Sequence, residues 1–338
     1  MPIVEFHKLT LLLVSLLCLQ IVACSKWKDE PPADRTDSLL ANQPASALKA
    51  PQTGSSPISD SPAVAASLEH RWVVSASEAA QLIEQGATLL DARGKGLIHK
   101  KMPGAIAVNW RDFSPRDAVA RGRLLEDDAQ LTQQLQTLGI SQNIPVVVFG
   151  NPPGGWGEEG RIVWMLRTLG HPQAVLVDGG LQALAEAGVT PSSSTRNTTR
   201  PLGDFVVQRD TTWDIQQDAL RSQLGSKNLV IIDTREPREF EGKTPYGEQR
   251  GGHIPGAVHL YFKDLLGEDG RLIPRQEIIA KLQTLGITPD MDVVVYCTGG
   301  IRSGWVASVL VNLGFAAKNY AGSMWEWSAA SAEQSPLE

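Results

Sequence analysis

The chain has 338 residues, with 37 Asp and Glu against 31 Lys and Arg, a formal net charge of −6. That length suits about two domains, each able to bury a core. A 42% hydrophobic and 20% charged composition is that of an ordinary globular protein. Mild acidity without basic clusters argues against nucleic acid as a partner.

Lys8 precedes an apolar run from Leu9 to Ala23, the length of a signal-peptide core and short for a membrane span. The run ends in Ile21-Val-Ala-Cys24, which resembles the bacterial lipobox. That resemblance implies cleavage of a signal peptide, residues 1–23, and lipidation of Cys24. No twin arginine precedes the core, so general secretion is expected. Ser25 stands where an aspartate would favour inner-membrane retention, so the expectation is an outer-membrane anchor facing the periplasm. Residues 24–68, rich in Pro, Ala, Ser and Asp, read as a disordered tether.

Beyond the tether the chain repeats itself. Leu135-Gln-Thr-Leu-Gly-Ile140 recurs letter for letter as Leu282-Gln-Thr-Leu-Gly-Ile287. Leu89-Leu-Asp-Ala-Arg93 answers Ile231-Ile-Asp-Thr-Arg235, Lys101-Met-Pro-Gly-Ala-Ile106 answers His253-Ile-Pro-Gly-Ala-Val258, and Pro145-Val-Val-Val-Phe149 answers Asp292-Val-Val-Val-Tyr296. Two domains are expected, 69–195 and 209–338, joined by a linker at 196–208. Amphipathic stretches such as Ser75–Gln85 and Asp214–Leu224 suit helices. Short apolar runs such as Leu229–Ile232 and Val293–Tyr296 suit buried parallel strands. Their alternation predicts an α/β protein, each domain an open, mostly parallel sheet flanked by helices, with its site beyond the carboxyl ends of the strands.

Cys297 sits at such an end. It follows the apolar run and opens the loop Cys297-Thr-Gly-Gly-Ile-Arg302, ahead of a helix-like stretch. Strand, glycine-rich turn and helix aim backbone N–H groups at one point and favour a thiolate there, with Arg302 adding positive charge. The other cysteines are Cys18 and Cys24. If the first leaves with the signal and the second carries lipid, Cys297 is the one free thiol, either inert in the core or the nucleophile. No cysteine metal site is expected, and no cofactor.

Together with Tyr246-Gly-Glu-Gln-Arg-Gly-Gly-His-Ile-Pro-Gly-Ala257, these residues resemble the rhodanese (sulfurtransferase) family in its tandem form, from near Glu69 to near Trp327. The resemblance implies a catalytic second domain and an inactive first one that helps close the site. The first repeat fits this, with Gly150 in the place of Cys297 and a longer, proline-bearing loop to Arg161. The implied chemistry is ping-pong transfer of sulfur from thiosulfate, or a similar small anionic donor, through a Cys297 persulfide to cyanide or a thiol. Thr298, Gly299, Gly300 and Ile301 would offer amides to the sulfur. Arg302 would hold the donor or pin the loop through an acidic partner, and Arg250 would contact the anion. Asp233 and Arg235 would shape the site as a structural pair, and His253 would stabilise a turn. Trp156 either lines the cleft or packs locally, while Trp305, Trp325 and Trp327 suit core or cleft wall. Phosphatase chemistry fits a loop one residue longer; 3-mercaptopyruvate is the alternative donor, although a mercaptopyruvate-type loop lacks the arginine. The competing class is a sulfur carrier or partner-binding module at the membrane surface, serving a periplasmic acceptor protein.

Overall fold

The computed structural model describes residues 68–93, 101–190 and 201–338. Signal, lipidation site Cys24, the tether up to residue 67 and linker residues 196–200 lie outside them. The first half runs β1 (Val73–Val74), α1 (Ala76–Glu84), β2 (Thr88–Asp91), β3 (Ile106–Ala107), α2 (Asp128–Thr137), β4 (Val146–Phe149), α3 (Glu158–Thr168), β5 (Ala174–Val177) and α4 (Gly180–Glu186). The second runs α5 (Gln217–Gln223), β6 (Leu229–Asp233), α6 (Pro237–Phe240), β7 (Val258–His259), α7 (Arg275–Thr284), β8 (Asp292–Tyr296), α8 (Ile301–Asn312), β9 (Ala316–Asn319) and α9 (Ser323–Trp327).

The strands form two all-parallel sheets, ordered β1-β5-β4-β2-β3 and β7-β6-β8-β9. Their central strands are unbroken apolar runs because both faces are covered. β4 pairs with β2 as β8 pairs with β6, so the duplication in the sequence is a duplication in space. The repeated hexapeptide builds the same helix end twice. Gly139 and Gly286 take φ of 74° and 76°, and the N–H groups of Ile140 and Ile287 return to Leu135 O and Leu282 O. Only glycine adopts that left-handed turn without strain, and the six-to-one bond satisfies a helix-end carbonyl.

The halves meet along α3 and α8, the most extensively packed pair of helices. Both are buried nearly all round, which suits helices at the centre of a body rather than on its surface. Gly160 makes the approach possible, since a Cβ there would lie 2.4 Å from Trp305 Cα. One hydrophobic core cluster runs through both halves, from Ile162 to Leu166 on one side and from Trp305 to Leu310 on the other.

The first half has no room for a second nucleophile. A Cβ on Gly150 would fall 1.9 Å from Glu159 Oε2, so the Glu159 carboxyl occupies the place a cysteine side chain would take. Neither Glu159 oxygen has a hydrogen bond of normal geometry. Burial, reinforced by the neighbouring Glu158 charge, pushes its pKa up to about 8. The folded protein therefore keeps a proton that the unfolded chain releases near pH 4.3. Between those values the folded state binds more protons, and stability falls as pH rises, by about 1.4 kcal/mol per unit. Glu159→Gln keeps the shape and removes the titration. Its advantage in thermal midpoint over the parent should widen as pH rises from about 4.5 to 8; an advantage that stays constant across that window would contradict the assignment.

Candidate active site

Cys297 follows β8 directly, is 1% exposed and is a free thiol. Its main chain is clamped by the start of α9. The Cys297 N–H donates to Ser323 Oγ at 3.1 Å, Met324 N–H donates to Cys297 O at 3.1 Å, and Trp325 N–H donates to Thr298 O at 2.9 Å. Ser323, the one non-glycine residue with positive φ among those described, holds this strained backbone (52°) at the floor of the loop.

The loop wraps the sulfur. Gly300 N–H donates to Cys297 Sγ at 3.1 Å, and the Ser303 hydroxyl to the same atom at 3.5 Å. Two glycines are obligatory for different reasons. Gly300 takes φ of 81°, and a Cβ on Gly299 would overlap the Trp325 ring at 2.0 Å. Burial alone pushes the thiol pKa up. The charge of Arg302, the Ser303 hydroxyl and the N–H groups of Ser303 and Gly299 outweigh it, so the pKa lies below the ordinary thiol value.

Arg302 pins the loop. Its Nη1 donates to Glu239 Oε2 at 2.6 Å, and its Nη2 donates to Glu239 Oε1 at 2.9 Å and to Thr298 Oγ1 at 2.5 Å. Thr298 in turn donates to Glu239 Oε1 at 2.6 Å. All three residues are buried. Arg302 and Thr298 hold the Glu239 carboxyl below the usual carboxylate range against the opposing effect of burial, so the pair is ionic. Of the two roles open to Arg302, its donors are committed to the acidic partner, while its outer face sits under Trp156 (5.0 Å) and Tyr246 (5.7 Å).

A pocket of about 270 Å³ opens onto the sulfur. The first half contributes Trp110, Arg111, Trp156 and Glu158. The second contributes Tyr246 and Trp325 with the loop residues Cys297, Thr298, Gly299, Ile301 and Arg302. Trp156, 38% exposed, therefore lines the cleft, edge-on to Tyr246 at 5.2 Å. Trp325 is cleft wall, while Trp305 and Trp327 are core.

Arg250 is a correction. It does not line the pocket. Its Nε donates to Ser328 O and its Nη2 to Trp327 O and Ser335 O, at 3.0, 3.1 and 2.8 Å, so these donors tie down the C-terminal segment away from the pocket. Asp233 and Arg235 form a fully buried ion pair beneath the loop, the carboxylate also accepting from Tyr296 OH at 2.7 Å. Arg93 and Asp91 repeat that pair in the first half. His253 Nδ1–H donates to Phe240 O at 3.1 Å, with the imidazole stacked on the Phe240 ring, and holds the turn.

Sequence reasoning passed over Glu239, Ser303, Trp110, Arg111 and Arg161. Ser303 follows the loop directly and was the most readable of these. Arg161 left a weaker trace, an arginine heading the apolar stretch Ile162–Leu166. It reaches across from α3 to donate to Gly300 O at 3.4 Å.

The rhodanese-like domain family matches residues 216–330. The chain is 35% identical over 232 residues to "Probable 3-mercaptopyruvate sulfurtransferase" of Pseudomonas aeruginosa, covering 67% of this chain and 80% of that protein. It is 32% identical to the thiosulfate sulfurtransferase of the same organism, covering 67% and 82%. In fold it is similar to the Escherichia coli 3-mercaptopyruvate sulfotransferase SseA, with a TM-score of 0.63 at 22% identity, over 75% of this chain and 98% of that one. A buried thiol cradled by backbone N–H groups at the end of a parallel strand, on a duplicated α/β body, agrees with all three: the chain belongs to the rhodanese family of sulfurtransferases.

Proposed function

We propose that this sulfurtransferase takes its sulfur from thiosulfate, with Cys297 as the nucleophile. The observation that carries this reading is the buried Cys297 sulfur, facing Gly300 N–H at 3.1 Å and opening into a pocket of about 270 Å³. The Cys297 thiolate attacks the outer sulfur of thiosulfate. The S–S bond of the donor breaks, and its electron pair leaves with sulfite. Cyanide or a thiol then takes the outer sulfur, and the pair of the broken bond returns to Cys297. The amides and the Ser303 hydroxyl are placed before any charge develops, so stabilising the anion requires no rearrangement.

Donor charge has to be met at the mouth. Arg302 is neutralised by Glu239, whereas Arg111 is exposed, stacked on Trp110 at 4.5 Å and in no ion pair among the described residues. Glu158, on the same wall, is turned to Trp156 N–H at 2.8 Å. Arg111 is therefore the donor-binding cation. A second reading, 3-mercaptopyruvate as donor, is favoured by the name of the 35% identical relative, and Arg111 suits its carboxylate equally. We also propose that Cys24 carries lipid and holds the body at the periplasmic face of the outer membrane, on the strength of Ile21-Val-Ala-Cys24 at the end of an apolar run.

Intact mass measured before and after thiosulfate should show a gain of one sulfur atom, lost on adding cyanide and absent in Cys297→Ser. No gain from thiosulfate but a gain from 3-mercaptopyruvate would move the reading to the second donor, and no gain from either would end it. Arg111→Ala should raise the donor KM by about tenfold with kcat little changed, the mark of lost ground-state binding; an unchanged KM would remove Arg111 from the donor site. Cys24→Ala should release the protein from the membrane fraction, and continued sedimentation with membranes would contradict the lipid anchor.

A further inference from the structure

Two arginines of α3 are buried, and they differ in a way that points to function. Arg167 spends every nitrogen on carbonyls, those of Leu68, Glu69, Arg71 and Ala174, at 2.5 to 2.9 Å. It is a structural tie. Arg161 is 0% exposed and has only two acceptors, Gly122 O at 2.7 Å and Gly300 O at 3.4 Å, while its Nε has none. It makes no ion pair among the described residues. A buried guanidinium without a counter-charge is costly, so the question is which anion it serves.

The candidates are few. Glu159, two residues earlier, is protonated at neutral pH. Asp214 accepts from the Gln216 side chain amide through Oδ2, its Oδ1 has no hydrogen-bond partner, and its charge is the larger attraction on Arg161. On the Cys297 side the cation of Arg302 is already neutralised by Glu239, with Glu248 close to Thr298. The second attraction, smaller than that of Asp214, comes from the sulfur of Cys297. One residue links the two. The Gly300 N–H points at Cys297 Sγ and its carbonyl accepts from Arg161 and from Asn319 Nδ2, the latter at 3.2 Å. A Cβ on Gly300 would sit 2.8 Å from Arg161 Nη1, and one on Gly304 would sit 3.1 Å from Arg161 Cα.

We propose that Arg161, supplied by the half that lacks a nucleophile, is a positioning residue that turns Gly300 toward the Cys297 sulfur and balances the negative charge of that sulfur. The first half then does more than wall the cleft. It completes the electrostatics of a loop it does not contain. The proposal rests on the sulfur-transfer reading of Cys297, but its test needs no sulfur donor.

The rate of Cys297 alkylation by iodoacetamide, followed by peptide mass across pH in the full chain, reports the thiol pKa directly. Arg161→Met should raise its midpoint by about one pH unit, and Arg161→Lys should recover most of that shift. Asp214→Asn removes a negative charge facing Arg161 and should move the midpoint the other way, downward. An unchanged midpoint in a folded Arg161→Met protein, whatever its melting temperature, would overturn the proposal and leave Arg161 a packing residue. If Arg161→Met does not fold, Asp214→Asn decides alone, and a midpoint that fails to fall overturns it. Should thiosulfate load no sulfur on the parent protein, the donor reading fails while the alkylation profiles still give their answer.

Discussion

A sulfur whose negative charge is favoured has to be held almost wholly buried at the foot of a pocket, and that requirement organises the centre of the molecule. Cys297 is buried, and burial by itself favours the neutral thiol. Each compensating group creates a need of its own. Arg302 lowers the thiol pKa but, being buried, needs Glu239. Glu239 is held by Thr298 and by Glu236 N–H, and so ties α6 to the loop. The Gly300 N–H reaches the sulfur only because its left-handed φ is free of a Cβ. Remove one of these and the next is left with an unmet charge or donor, so the site is stable as a set.

The two halves share a blueprint and have divided the work. In the second half the strand end carries the thiol. In the first, Gly150 leaves that place to the Glu159 carboxyl, which burial keeps neutral. The first half also supplies Trp110, Arg111 and Trp156 to the pocket wall, and α3 to the interface. The half that carries the thiol and the half that lacks it are thus not separable bodies. Gly160 lets α3 come within contact of Trp305, and a core cluster crosses the boundary.

How much of this could be read from the residues alone depends on how local each cause is. Parallel strands buried on both faces are apolar runs, and a cysteine ending one of them before two glycines is a local pattern. The fold class, the duplication and the place of Cys297 are therefore written along the chain. Asp233-Thr-Arg235 is equally local, since its ion pair closes over two residues. Glu239 was hidden because its partner Arg302 lies 63 residues away, and nothing in the spacing joins them. Arg250 was misjudged for the same reason. The carbonyls that hold it belong to Trp327, Ser328 and Ser335, at the end of α9 and in the irregular stretch beyond it, with no periodic signal. Arg161 belongs to the other half altogether, and only the packing of α3 on α8 brings it to Gly300.

The account rests on Cys297 being a stabilised anion despite its burial. An ultraviolet titration of thiolate absorbance, taken as the difference between the parent protein and Cys297→Ser, measures that property without substrate. A midpoint clearly below the ordinary thiol value of about 8.5 is the predicted result. A midpoint at or above it would mean that burial outweighs the cradle, and that Cys297 is a core cysteine rather than a nucleophile.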